Sequence, residues 1–144
     1  MNPLDVLKKE HEQINLEIME LEAVGDEEII NYSNLIHCFK KLCELWDKHE
    51  NKEEKVFRVF EKERIKVPVE KMTCDHIELK GHIKKIKEAI NSGSELEMKK
   101  SLSEDLKEFI EKIKKHRDDE DEVLYTIAKD EFTPQEWAEM SKYV

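Results

Sequence analysis

Residues 32–60 read "YSNLIHCFKKLCELWDKHENKEEKVFRVF". Tyr32, Leu35, Phe39, Leu42, Trp46, Val56 and Phe60 recur at steps of three and four, with charged side chains filling most of the positions between. That period lays the apolar residues along one stripe of an α-helix, and such a stripe has to be buried against other helices. At about 1.5 Å per residue the stretch predicts a rod of roughly 40 Å. Two places on the stripe hold the wrong chemistry for a core: His49 and Glu53, one turn apart on the same face.

Three more seams with the same spacing flank it. One runs Leu4, Leu7, His11, Ile14, Ile18, Leu21, with Asn2 as N-cap, Pro3 at the first helical position and a stop near Gly25. A third runs Val69, Met72, His76, Leu79, Ile83, Ile86, Ile90, after Pro68 and before "NSG". The last runs Leu102, Leu106, Phe109, Ile113, His116, Glu120, Val123, Ile127. Beyond it, "TPQE" at 133–136 reads as a capping box opening a short helix that packs Trp137 and Met140. The expectation is all-α: an up-down-up-down antiparallel four-helix bundle with a short C-terminal fifth helix, one domain over 1–144. Bringing His11 and His49 to one level requires residues 24–31 to be mostly connection, and the same count makes the start of the fourth helix overhang or break near Ser101.

With 42% charged residues and only three Gly and three Pro, the composition favours long helices. The net charge of −10 argues against nucleic acid and acidic membrane surfaces, and no apolar run approaches the ~18 residues that span a bilayer. "MNPLDVLKKEHEQ" turns charged before any apolar signal segment forms, so the expected address is cytoplasmic. Cys38, Cys43 and Cys74 lack C-x-x-C spacing and read as small buried hydrophobes.

Six residues interrupt the seams: His11, His49, Glu53, His76, His116 and Glu120. The halves repeat, since His11 precedes His49 by 38 residues, His76 precedes His116 by 40, and each later histidine carries a glutamate four residues on. Unpaired carboxylates and imidazoles in a dry core cost several kcal/mol each. A metal centre removes that cost. Four nitrogens and two carboxylates suit two first-row ions, two histidines on each, sharing Glu53 and Glu120 as bridges. A solvent-derived oxo or hydroxo bridge brings each ion to about five ligands and leaves octahedral iron one open position. No histidine has a glutamate three residues before it, which excludes ferritin-like sites, and "HENKE" lacks the second histidine of a zinc-protease helix.

The pattern resembles the hemerythrin-like family, or HHE cation-binding domain, over essentially the whole chain. "KEHEQ" around His11, "HENKEE" from His49, "CDHIEL" around His76, "HRDDEDEVLY" from His116 and the terminal "FTPQEW" carry the likeness. It implies a non-haem di-iron bundle that binds O₂ or NO, senses gas or iron, or repairs iron centres. An iron-sensing bundle whose occupancy controls a protein partner, and a zinc-loaded structural bundle, are the alternatives; the electron-transfer partner is unspecified. Oxygen-carrying members place a further histidine one turn after the third-helix ligand, where this chain has Lys80. His82 lies about 9 Å past His76 along the axis, a long reach for a site whose metals lie a few Å apart. Members linked to nitric-oxide response and iron-centre repair resemble this chain in their four histidines and two glutamates but add a cysteine-bearing N-terminal domain. Iron-sensing members resemble it in a carboxylate directly after the second-helix histidine, here Glu50, which otherwise reads as a solvated helix edge. Tyr32 and Tyr125 are candidate phenolate ligands or hydrogen-bond donors. Trp46, Phe57 and Phe60 read as core, His37 as surface, and Asp118 to Glu122 as a solvated run from which Glu120 alone turns inward.

Overall fold

The computed structural model describes residues 3–62 and 67–144, apart from the side chains of Asp130 and Glu131. The proposed N-cap Asn2 lies outside them. Helix α1 spans Pro3–Gly25, α2 Tyr32–Lys62, α3 Val69–Asn91, α4 Glu95–Ser103, α5 Asp105–Asp119, α6 Tyr125–Glu131 and α7 Pro134–Ser141, with a π-helical turn, Glu120–Leu124, joining α5 to α6. No strand occurs among the described residues. The chain is an all-helical bundle in which α1 packs on α2, α2 on α3, α3 on α4 and α5, and α5 returns to α1.

The stops follow from local chemistry. Residues 26–31 connect α1 to α2, much as the level-matching of the two histidines requires. Gly93 takes φ 77°, a left-handed conformation that side chains disfavour, so α3 ends there. Ser94 then caps α4 by accepting from the Glu97 amide. The expected break in the fourth rod falls at Glu104, three residues past Ser101, whose hydroxyl donates to Asp105 at 2.9 Å. At α7 the capping box forms both ways: Thr133 Oγ1 accepts from the Glu136 amide, and Glu136 accepts from the Thr133 amide. Met140 is buried, and Trp137 meets Phe132 edge to face at 4.9 Å.

Two apolar clusters make up the core. One gathers Ile14, Ile18, Leu42, Trp46, Leu79 and Ile113 with their neighbours. The other holds Leu7, Val56, Phe60, Met72, Leu124 and Met140 among others. Along every seam the histidines and glutamates fall between the two sets, as a polar stratum in the middle of the bundle.

Three sequence expectations need correction. Val123 and Ile127 were placed on the buried seam, yet they are 41% and 42% exposed, and Leu124, Tyr125 and Ala128 are buried instead. The cause is the π-turn: its i→i+5 bonding, with the Tyr125 amide on the Glu120 carbonyl, inserts one residue and advances the inward face by one position. Cys38 and Cys43 are buried, but Cys74 is exposed on the outer side of α3. Glu50 is no solvated edge, being 1% exposed beneath Lys80.

Candidate metal centre

All six seam interruptions are buried, none more than 2% exposed. His11 comes from α1, His49 and Glu53 from α2, His76 from α3, His116 from the end of α5 and Glu120 from the start of the π-turn. His11, His49, Glu53 and Glu120 each offer a ligand atom within 4.8 Å of the others, and Glu53, His76, His116 and Glu120 do the same. The two groups share both glutamates. Across them, His49 Nε2 lies 2.9 Å from Glu53 Oε1, and His76 Nε2 lies 3.4 Å from Glu53 Oε1 and 3.6 Å from Glu120 Oε1. His11 Nε2 stands 3.6 Å from Glu120 Oε2, and His116 Nε2 meets Glu120 Oε1.

The outer ring nitrogens decide how these imidazoles are held. His11 Nδ1 bonds Asp121 at 2.9 Å, His49 Nδ1 bonds Glu10 at 3.0 Å, His76 Nδ1 bonds Glu54 at 2.8 Å and His116 Nδ1 bonds Asp75 at 3.0 Å. A carboxylate can only accept, so each Nδ1 carries the proton and donates. A neutral ring then turns its Nε2 lone pair toward the centre. This is the arrangement in which metal-binding histidines are oriented by a carboxylate behind them.

The four bonds also form a closed circuit. Glu10 of α1 serves α2, Glu54 of α2 serves α3, Asp75 of α3 serves α5, and Asp121 of the π-turn serves α1. Each acid is the chain neighbour of a seam residue on its own element, and it reaches to the histidine of the next.

With each ring's single proton on Nδ1, the inner atoms are all acceptors, and nothing among the described residues donates to them. The Nε2 atoms of all four histidines, with Glu53 Oε1 and Glu120 Oε1, are buried without a hydrogen-bond partner. Buried polar atoms are rarely left so, and six gathered in two overlapping groups are what a cation site requires. A family description, the hemerythrin HHE cation-binding domain, matches residues 2–128. The chain belongs to the hemerythrin HHE family. No curated protein and no solved structure matches it at significant similarity.

In this HHE chain several residues weighed from sequence find other roles. Lys80, at the position of the extra histidine of oxygen carriers, places its ammonium 3.1 Å from Glu50 Oε1. Glu50 lies behind His76, 3.9 Å from Nδ1, rather than among the inner oxygens. His82 belongs to neither group of ligand atoms. Tyr32 lines a cavity of about 400 Å³ between Leu21, Leu35, Leu102 and Leu106, none of them a neighbour of the histidines. Tyr125 does reach the centre: its hydroxyl lies 2.5 Å from Glu53 Oε2 and 2.9 Å from Glu120 Oε2, with its one proton shared between the two oxygens. Burial, and then the two carboxylate charges, push its hydroxyl well above the ordinary tyrosine value and keep it a neutral donor. His37 is exposed, and Trp46, Phe57 and Phe60 are buried core. Cys43, its thiol pushed up to about 12 by burial, offers no nucleophile.

The carboxylates behind the histidines went unread in the sequence. Asp121, which the sequence places in a solvated run, turns onto His11. Adjacency to a seam residue is the only signal these acids carry, and with 35 Asp and Glu in 144 residues adjacency is commonplace.

Charge in the metal-free centre has a measurable consequence. Burial acts to lower His49, but the Glu53 charge and the Glu10 bond overcome it and raise the ring to about 10. Burial likewise opposes His76, which Glu120 and Glu53 raise to about 11. Burial would raise Glu53; His49 and His76 instead hold it well below the usual carboxylate range. Raised histidines stabilise the metal-free fold fully below their unfolded value of about 6.5, and that stability is lost as pH rises through about 10 to 11. Since an ion needs the free lone pair, loading at pH 7 should release protons from the raised histidines and tighten as pH rises. A pH-indicator dye in weak buffer during metal addition measures this; no release would contradict the assigned charge states.

Proposed function

We propose that the six inner residues hold two iron ions, His11 and His49 on one, His76 and His116 on the other, with Glu53 and Glu120 shared, and that the centre binds O₂ or NO. The observation that carries this reading is the gathering of six inner ligand atoms, four of them imidazole Nε2 atoms aimed inward by carboxylates behind. Iron so held supplies a reducible centre with a coordination position for a diatomic gas. The protein's own contribution is orientation and exclusion of water. The circuit of Nδ1 bonds sets each ring, while Trp46 and Phe57 wall the histidines, Phe57 stacking on His76 at 5.6 Å.

The finer architecture belongs to the same reading. On α1 and α3 the seam passes from the Phe60 cluster through the polar stratum to the Trp46 cluster, and on α2 and α5 it passes back. That alternation supports an up-down-up-down four-helix bundle closed by α7, and we read the chain as one domain over 1–144 with a cytoplasmic address. No helix among the described residues is long and apolar enough to cross a membrane.

The test is metal quantification with absorption spectra under nitrogen, air and NO. About two irons per chain and distinct spectral changes on gas addition are expected. Iron-loaded protein with no spectral response to either gas would defeat the gas-binding reading, and zinc as the resident metal would defeat the iron reading.

A further inference from the structure

Tyr125 would not face the centre on an ordinary α-helix. There Leu124, four residues after Glu120, takes the place directly above it, and a fifth residue points well to one side. The π-turn changes the count. With the Tyr125 amide bonded to the Glu120 carbonyl, residue 125 stacks over residue 120, and its hydroxyl enters the polar stratum. The side chain is 4% exposed, and its ring lies 5.7 Å from that of His11.

The hydroxyl contacts one oxygen of each shared carboxylate, Oε2 of Glu53 and Oε2 of Glu120. These are the oxygens nearer His11, at 3.9 and 3.6 Å from its Nε2. The oxygens left without a partner, Oε1 of both, face His49, His76 and His116. The phenol has one proton, directed at the nearer Glu53 Oε2 and shared with Glu120 Oε2, so a single three-centre contact joins two carboxylates from different elements, α2 and the π-turn, and marks one oxygen of each as held and the other as free.

We infer that Tyr125 is a positioning residue of the metal centre: its hydroxyl clamps the Oε2 atoms of Glu53 and Glu120 and so sets the two carboxylates for metal. This rests on the two-ion reading above. Without the clamp, each glutamate is free to turn about its last bond, and two like-charged groups sharing one small space favour turning apart. Removing a hydrogen-bond partner of a ligating carboxylate typically costs 10- to 100-fold in metal affinity.

Y125F keeps the ring in its pocket and deletes only the hydroxyl. Titrated with Co²⁺, whose visible bands report ligand geometry, Y125F should bind about 10-fold more weakly or worse and show altered bands. Y32F, changed at the far end of the bundle, should match the parent chain. Equal affinity and identical bands for Y125F and the parent would overturn the clamp. A phenolate-to-iron charge-transfer band in the ferric parent, lost in Y125F, would overturn it in favour of direct ligation. Should Y125F not fold, Y32F/Y143F leaves Tyr125 as the sole tyrosine of three. Co²⁺ should then perturb its ultraviolet absorption, and an unchanged spectrum would reject the inference. If the parent chain itself takes up no divalent metal, it is the two-ion reading that fails.

Discussion

In the proposed two-iron centre, replacing Glu53 with alanine is expected to strip the chain of both ions, whereas His11→Ala should leave about one. The asymmetry follows from membership: Glu53 offers an oxygen to both groups of ligand atoms, His11 a nitrogen to one. Deleting Glu53 also takes from His49 its inner neighbour at 2.9 Å and from Tyr125 one of its two acceptors. Four imidazoles would remain around a single carboxylate, and each ion would lose a negatively charged ligand. Loss of one carboxylate behind a histidine typically costs 10- to 100-fold in metal affinity, so loss of a shared inner one should exceed about 100-fold. In His11→Ala, the His76 and His116 group keeps every ligand. Metal analysis after dialysis against a fixed low concentration of free metal measures both variants. Two ions retained by Glu53→Ala, or equal losses in the two variants, would show that Glu53 is not shared.

The largest loss of stability is expected from Trp46→Ala. The indole is 1% exposed and forms the floor of the polar stratum, its ring 5.7 Å from His49, 5.8 Å from His76 and 5.7 Å from His116. On its other side it belongs to the cluster of Leu42, Leu79 and Ile113. Truncation would leave a cavity that three helices cannot close without moving the histidines they carry. Buried Trp→Ala changes cost about 3–5 kcal/mol, which in a chain of this size lowers the melting temperature by roughly 10–15 °C. Urea unfolding of the metal-free protein isolates the packing cost, and metal titration of the same variant shows whether the rings still aim inward. A loss under about 1 kcal/mol would mean that the stratum rests on something other than this indole.

These expectations depend on features of unequal visibility in the chain. The four seams, their stops and the six polar interruptions are local or periodic. A 3.6-residue repeat reports which side chains share a face whatever the helix packs against, and Pro3, Gly93 and Thr133 mark ends through backbone chemistry alone. Glu50 shows where such reading stops. It lies one step off the stripe and looks exposed on an isolated helix, but α3 and Lys80 cover it.

From sequence alone came the helical class, the polar stratum and its six members, because periodicity and residue type are properties of one helix at a time. Tertiary structure alone decided three things: that a π-turn shifts the inward face by one residue after Glu120, that Tyr125 thereby joins the two glutamates, and that Glu10, Glu54, Asp75 and Asp121 each turn to a histidine on a neighbouring element. The physical reason is the same in each case. A side chain one step from the seam can turn to solvent or to its neighbour, and the choice is made by the helix that comes to lie beside it.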